Sequence, residues 1–135
     1  YVNYDEPMAH PFGANFKEMI GLLRYQPAYR WFVNAGYIHV MKGLDSSSKG
    51  RHFGGDILTT YNKRPKEYGL EIGQGVKTTY YILYFNVSYM AYHNLWFDFR
   101  FNMRKVSSGL SWLNSNVNWV QFGLRMNMDR RPYDF

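Results

Sequence analysis

Residues 95–105 read LWFDFRFNMRK, with Leu95, Phe97, Phe99, Phe101 and Met103 on one parity and Trp96, Asp98, Arg100, Asn102 and Arg104 on the other. Alternation of period two predicts a β-strand with one apolar and one polar face. The pattern recurs in 116–128, where Val120, Phe122, Leu124, Met126 and Met128 oppose Trp119, Gln121, Gly123, Arg125 and Asn127. In 76–92, Tyr81, Leu83, Phe85, Val87, Tyr89 and Ala91 oppose Tyr80, Ile82, Tyr84, Asn86 and Ser88. Segment 29–43 is mixed: Trp31, Val33, Ala35 and Tyr37 share a face, but Phe32, Ile38 and Val40 fall on the other. Segment 15–26 does not divide into two faces, and Gly21 marks a place for a bulge or bend.

The connections have an order. A short turn is expected around Gln26-Pro27-Ala28, then a long polar loop over 44–75, a tight turn at His93-Asn94, and a medium loop over 107–115. The uncharged run 78–97 has the length of a transmembrane helix. Asn86, Ser88, His93 and Asn94 and its many tyrosines favour two strands and a turn instead. These strands exceed the soluble average of about five or six residues. They reach the roughly 9–11 residues that a tilted strand needs to cross a membrane. Outer-membrane barrels combine short periplasmic turns with long outer loops. With the C-terminus in the periplasm, every short turn falls on that side, and 44–75 and the N-terminal stretch fall outside.

The expected fold is therefore all-β, an antiparallel up-and-down transmembrane β-barrel. Roughly five strands are fewer than the about eight that close the smallest membrane barrels. Residues 1–135 are thus read as the C-terminal portion of a larger barrel. The Phe97/Phe99/Phe101 face would meet lipid, while Asp98, Arg100, Arg104, Gln121 and Arg125 would line a polar lumen. Tyrosines and tryptophans near the strand ends would form interfacial girdles. The rival reading turns the same alternation inward, as a soluble sandwich or lipocalin-like barrel holding a small hydrophobic ligand.

Composition fits strands: 46% of residues are hydrophobic and 20% aromatic, with Tyr 13 and Phe 10. The chain lacks cysteine, which removes disulfides and thiolate metal sites from consideration. A net charge of +6 admits an acidic partner. The basic residues are nevertheless scattered, without the dense patch of a nucleic-acid footprint.

The chain ends in Phe135 after the amphipathic strand NWVQFGLRMNM, which resembles the terminal signal of outer-membrane barrels, although Pro132 and Asp129 to Arg131 interrupt the alternation. The stretch EPMAHPFGANFKE, 6–18, is more specific. Pro7, Ala9, His10, Pro11, Gly13, Ala14, Asn15, Phe16 and Glu18 match a PxAHPxGANFxE segment. It resembles the loop leading into a membrane strand in outer-membrane barrels related to the gliding-motility protein RemB and the Wzi-like capsule-assembly proteins. GLEIGQG, 69–75, is similar to a loop end preceding a strand in such proteins. The resemblance implies a non-enzymatic role in a Gram-negative outer membrane: capsule polysaccharide attachment, gliding motility or surface organisation. Outer-membrane lipid, lipopolysaccharide, a surface polysaccharide and other envelope proteins are the implied partners. An outer-membrane channel or secretion-associated barrel is the alternative.

Little points to catalysis. The chain has four histidines, none at HxH or HExxH spacing, and any metal site would need His10, His52 and Asp56 to converge. GLEIGQGVKT misplaces its lysine for a phosphate loop and precedes a strand. Neither Ser46–Ser48 nor Ser107 and Ser108 sit in a nucleophile elbow. No cofactor or metal is expected. The outer loops combine aromatic rings with planar polar groups, which suits sugar recognition. The candidate ligand-binding residues are His10, Arg51, His52, Phe53, Asp56, Arg64 and Gln74.

Overall fold

The computed structural model describes residues 2–3, 6–7, 10–45, 52–56, 62, 66 and 68–127. Strands β1 (Val2–Asn3) and β2 (Glu6–Pro7) pair in a short antiparallel ladder. The rest is one five-stranded sheet of β3 (Phe16–Ala28), β4 (Trp31–Leu44), β5 (Val76–Tyr92), β6 (Leu95–Ser108) and β7 (Ser115–Met126), in sequence order and antiparallel throughout. No α-helix occurs among the described residues. The sheet does not close, so β3 and β7 are edges.

Most strand boundaries follow the alternation, and the uncharged run 78–97 is a hairpin with its turn at His93-Asn94. The first hairpin differs from expectation. β3 runs on through Pro27 to Ala28, and the turn is Tyr29-Arg30. Gln26 and Pro27 together oppose Phe32 in a bulge. Proline is tolerated there because an edge-strand bulge does not need its missing N–H. Gly21 holds no bulge: it pairs with Tyr37 in unbroken register. The loop between β4 and β5 spans 45–75, and β6 extends to Ser108, whose N–H donates to Asn114 Oδ1 at 2.7 Å. A 3-10 turn, Ser111–Leu113, leads into β7.

Register sorts the side chains onto two faces, since directly paired residues point the same way. One face carries Tyr37–Leu83–Met103, Leu23–Ala35–Phe85–Phe101–Val120, Tyr25–Val33–Val87–Phe99–Phe122 and Trp31–Tyr89–Phe97–Leu124 as successive rows. Within the paired strands it holds no Asp or Glu, and its charged residues are Lys17, Lys77 and Lys105, all toward the long-loop end. Among the described residues no element covers these four rows, the loop end at Gly73 and Gln74 reaching this face at Gly43 on its long-loop margin, and Phe122 is 79% exposed. Each such side chain gains about 1.5–3 kcal/mol on leaving water.

The other face is divided. Its long-loop half carries an apolar cluster, Ile20–Ile38–Ile82 and Val40–Tyr80–Val106, in adjacent rows that also hold Arg104 and Glu18. Val40 and Thr78 there are fully buried, and Val106 nearly so. The remainder is polar. This division explains why the alternation of 29–43 reads as mixed: Ile38 and Val40 serve a small core on the otherwise polar side.

Candidate functional site

The segment 10–14 builds that small core by folding over the long-loop end of the polar face. His10 stacks on Phe16 at 4.5 Å and on Phe12 at 5.6 Å, and Phe12 lies 5.4 Å from Tyr80. The N–H of Phe12 donates to His10 Nδ1 at 3.2 Å, so Nε2 carries the proton and donates to Glu18 at 3.0 Å. Lys42 Nζ donates to the carbonyl of Phe12 at 2.6 Å.

Asn15 ties this segment to the loops. It has a left-handed φ of 58°, which asparagine tolerates better than most residues. Its Nδ2 donates to the carbonyls of Gly43 at 3.1 Å and Gln74 at 3.0 Å, and its Oδ1 accepts from the N–H of Gly73 at 2.7 Å. One amide thereby joins the start of β3, the end of β4 and the entry to β5.

A second cluster forms around Asp45. Its Oδ1 accepts from the N–H groups of Phe53 at 2.6 Å and Gly55 at 3.2 Å, and its Oδ2 from that of Asp56 at 2.9 Å. His52 Nδ1 lies 3.6 Å from Asp45 Oδ2, too far for a hydrogen bond. The loop candidates therefore separate: His52, Phe53 and Asp56 gather at Asp45, His10 belongs to the Glu18 cluster, and the Gln74 side chain reaches the carbonyl of Gly69 at 3.5 Å. Among the described residues no three metal-ligating side chains converge. Arg51 and Arg64, like Tyr1, Tyr4, Tyr61, Lys63 and the terminal segment 129–135, lie outside the described residues.

The lumen candidates share the polar face. Asp98 is its hub: Ser88 Oγ donates to Oδ1 at 2.5 Å, and Arg125 Nε lies 3.3 Å from Oδ2. Arg125 lies over Trp96 at 5.0 Å, and Trp96 packs 5.2 Å from Phe32. One row further from the turns, Arg24, Asn34, Asn86, Arg100 and Gln121 are paired in direct register across all five strands. Arg104 stands in the row of Ile38, Ile82 and Val117.

Arg24, Asn34 and Asn86 were not expected here, nor were the roles of Asn15 and Asp45. Parity alone would have put Asn86 on the face of Arg100, but only the register puts them side by side. Comparison of the chain with known family models, curated proteins and solved structures returns no match.

Proposed function

We propose that this chain forms part of the wall of a β-barrel in a Gram-negative outer membrane, with a non-enzymatic role in surface polysaccharide attachment or in motility-related surface organisation. The observation that carries the reading is the acid-free apolar face, uncovered on a sheet whose strands run to 17 residues and whose two edges are unpaired. A single sheet in water needs a second layer over such a face, whereas lipid needs none.

The distribution of side chains supports it. His39 and Tyr81 stack at 5.0 Å toward the long-loop end of the apolar face, and Trp31 and Tyr89 lie 4.8 Å apart toward the turns. Aromatic pairs at both margins suit membrane interfaces. From Tyr81 to Tyr89 the strand rises about 27 Å, or about 20 Å of thickness at a ~40° tilt, near the ~25 Å apolar band of outer-membrane barrels. Lys17 and Lys77 stand beyond the band and Lys105 at its margin, in the row of His39 and Tyr81, where the phosphates of lipopolysaccharide would meet them.

The test is the electrophoretic mobility of the full-length protein taken unboiled from the membrane fraction. A fast band that slows on boiling is the expected result. A single unshifted band, from protein found only in the soluble fraction, would overturn the reading and leave the apolar face to a soluble barrel.

A further inference from the structure

We propose that the row Arg24–Asn34–Asn86–Arg100–Gln121 is a binding track for an acidic polysaccharide. The inference rests on the reading of the polar face as a barrel lumen, and it names the chemistry of the polymer. Five strands at ~4.8 Å spacing make the row about 19 Å long. It contains two guanidinium groups and three primary amides, and no acid.

These groups are available. Among the described residues Arg24 and Arg100 make no hydrogen bond or ion pair. The acids elsewhere on this face are engaged, Asp98 by Ser88 and Arg125 and Glu18 by His10. A hollow opens at each end of the row, one lined by Arg24, Asn34 and Tyr84, the other by Arg100, Gln121, Gly123 and Asp98, whose carboxylate is held by Ser88 and Arg125.

The spacing selects a polymer. Arg24 and Arg100 stand three strands apart, about 14 Å, so one small anion cannot engage both. Between them Asn34 and Asn86 offer donors and acceptors suited to hydroxyl groups, while each guanidinium fits a carboxylate bidentately. The adjacent row adds the rings of Tyr84 and Trp119 on the same face. Charge at intervals, hydroxyls between and ring faces alongside match a carboxylated glycan.

The experiment titrates the full-length protein in dodecyl maltoside with polygalacturonate oligosaccharide, with neutral dextran of equal length and with sodium phosphate. Polygalacturonate should bind, weaken with added salt, and weaken about tenfold in R24Q/R100Q, a variant that should keep its heat-modifiable mobility. Dextran should bind at least about tenfold less well. Unchanged affinity in R24Q/R100Q overturns the proposal. So does absence of polygalacturonate binding by protein that still shows the mobility shift, and in both cases the barrel reading survives. Equal occupancy of the row by phosphate alone would reduce it to a small-anion site and overturn the polymer. Protein that shows no shift and stays in the soluble fraction removes both readings.

Discussion

The ring of Tyr84 lies over Gly36, its partner across β4 and β5, so closely that a Cβ on Gly36 would stand 2.2 Å from Tyr84 Cζ. Gly36 is buried although it lacks a side chain. An aromatic residue shielding a glycine backbone is a known device for stiffening sheets. Gly36→Ala should displace the ring and cost about 1–3 kcal/mol. Combined with Tyr84→Ala, which removes the ring, it should cost less than the sum of the single changes. Denaturant titration of the folded protein measures the cycle, and strict additivity would contradict the contact.

Gly43 is crowded differently. A Cβ there would meet the backbone carbonyl oxygen of Gln74 at 2.0 Å and the carbonyl carbon of Gly73 at 2.8 Å. A tyrosine ring can swing aside, whereas the backbone of a loop held by Asn15 cannot. Gly43→Ala should therefore destabilise more than Gly36→Ala in the same titration. The reverse order would mean that the loop end is looser than its hydrogen bonds indicate.

Asn15 supplies one left-handed residue and three side-chain hydrogen bonds at once. Asn15→Gly keeps the backbone conformation but loses the bonds, so it should still destabilise, by roughly 1–3 kcal/mol. Asn15→Asp should be worse, because a carboxylate would face the carbonyls of Gly43 and Gln74 with no proton to give. Limited proteolysis within 69–75 should report both changes as faster cleavage.

Phe101 lies at mid-height of the apolar face, in the row of Ala35, Phe85 and Val120. In a lipid-facing wall, Phe101→Arg should cost about 2–4 kcal/mol. On the opposite face Gln121→Lys, at an exposed position, should be close to neutral. Urea titration of protein folded into phosphatidylcholine vesicles measures both, and equal tolerance at the two positions would contradict the assignment of faces.

Asp98 and Arg125 differ in exposure, at 14% and 60% of the side chain. The pair is open to solvent on the arginine side, so Arg125→Gln should cost only about 0–1 kcal/mol. Ser88→Ala removes the short bond to the less exposed partner and should cost about 1–2 kcal/mol. If the arginine variant proves the more damaging in denaturant titration, the ion pair matters more than its exposure implies.

Much of the sheet was legible in the residues. Phe97, Phe99 and Phe101 against Asp98 and Arg100 announced both the strand and its faces, because side chains alternate wherever one face leaves water. His93-Asn94 marked its turn, flanked as it was by two alternating runs. The N-terminal segment and the loop clusters were much less legible. Asn15 joins residues as far away as Gln74, 59 positions along the chain, and no local pattern encodes such a bond. His10, expected as a ligand-binding residue of an outer loop, is held instead by Glu18 and two phenylalanine rings.

The sequence by itself determined the five long strands, their order and, from 76 onward, the chemistry of each parity class, since those depend on neighbours a few positions away. The tertiary structure decided how the classes meet. Both two-residue turns are preceded by a bulge, at Gln26-Pro27 in β3 and at Ala91 in β5, each adding one residue to one strand. Without Ala91 as the extra residue, Phe99 would pair with Ser88 and every apolar side chain of β6 would oppose a polar parity on β5. A one-residue slip exchanges the faces of a strand. Only the assembled ladder shows the slip that aligns Val87 with Phe99 and, by the same step, Asn86 with Arg100.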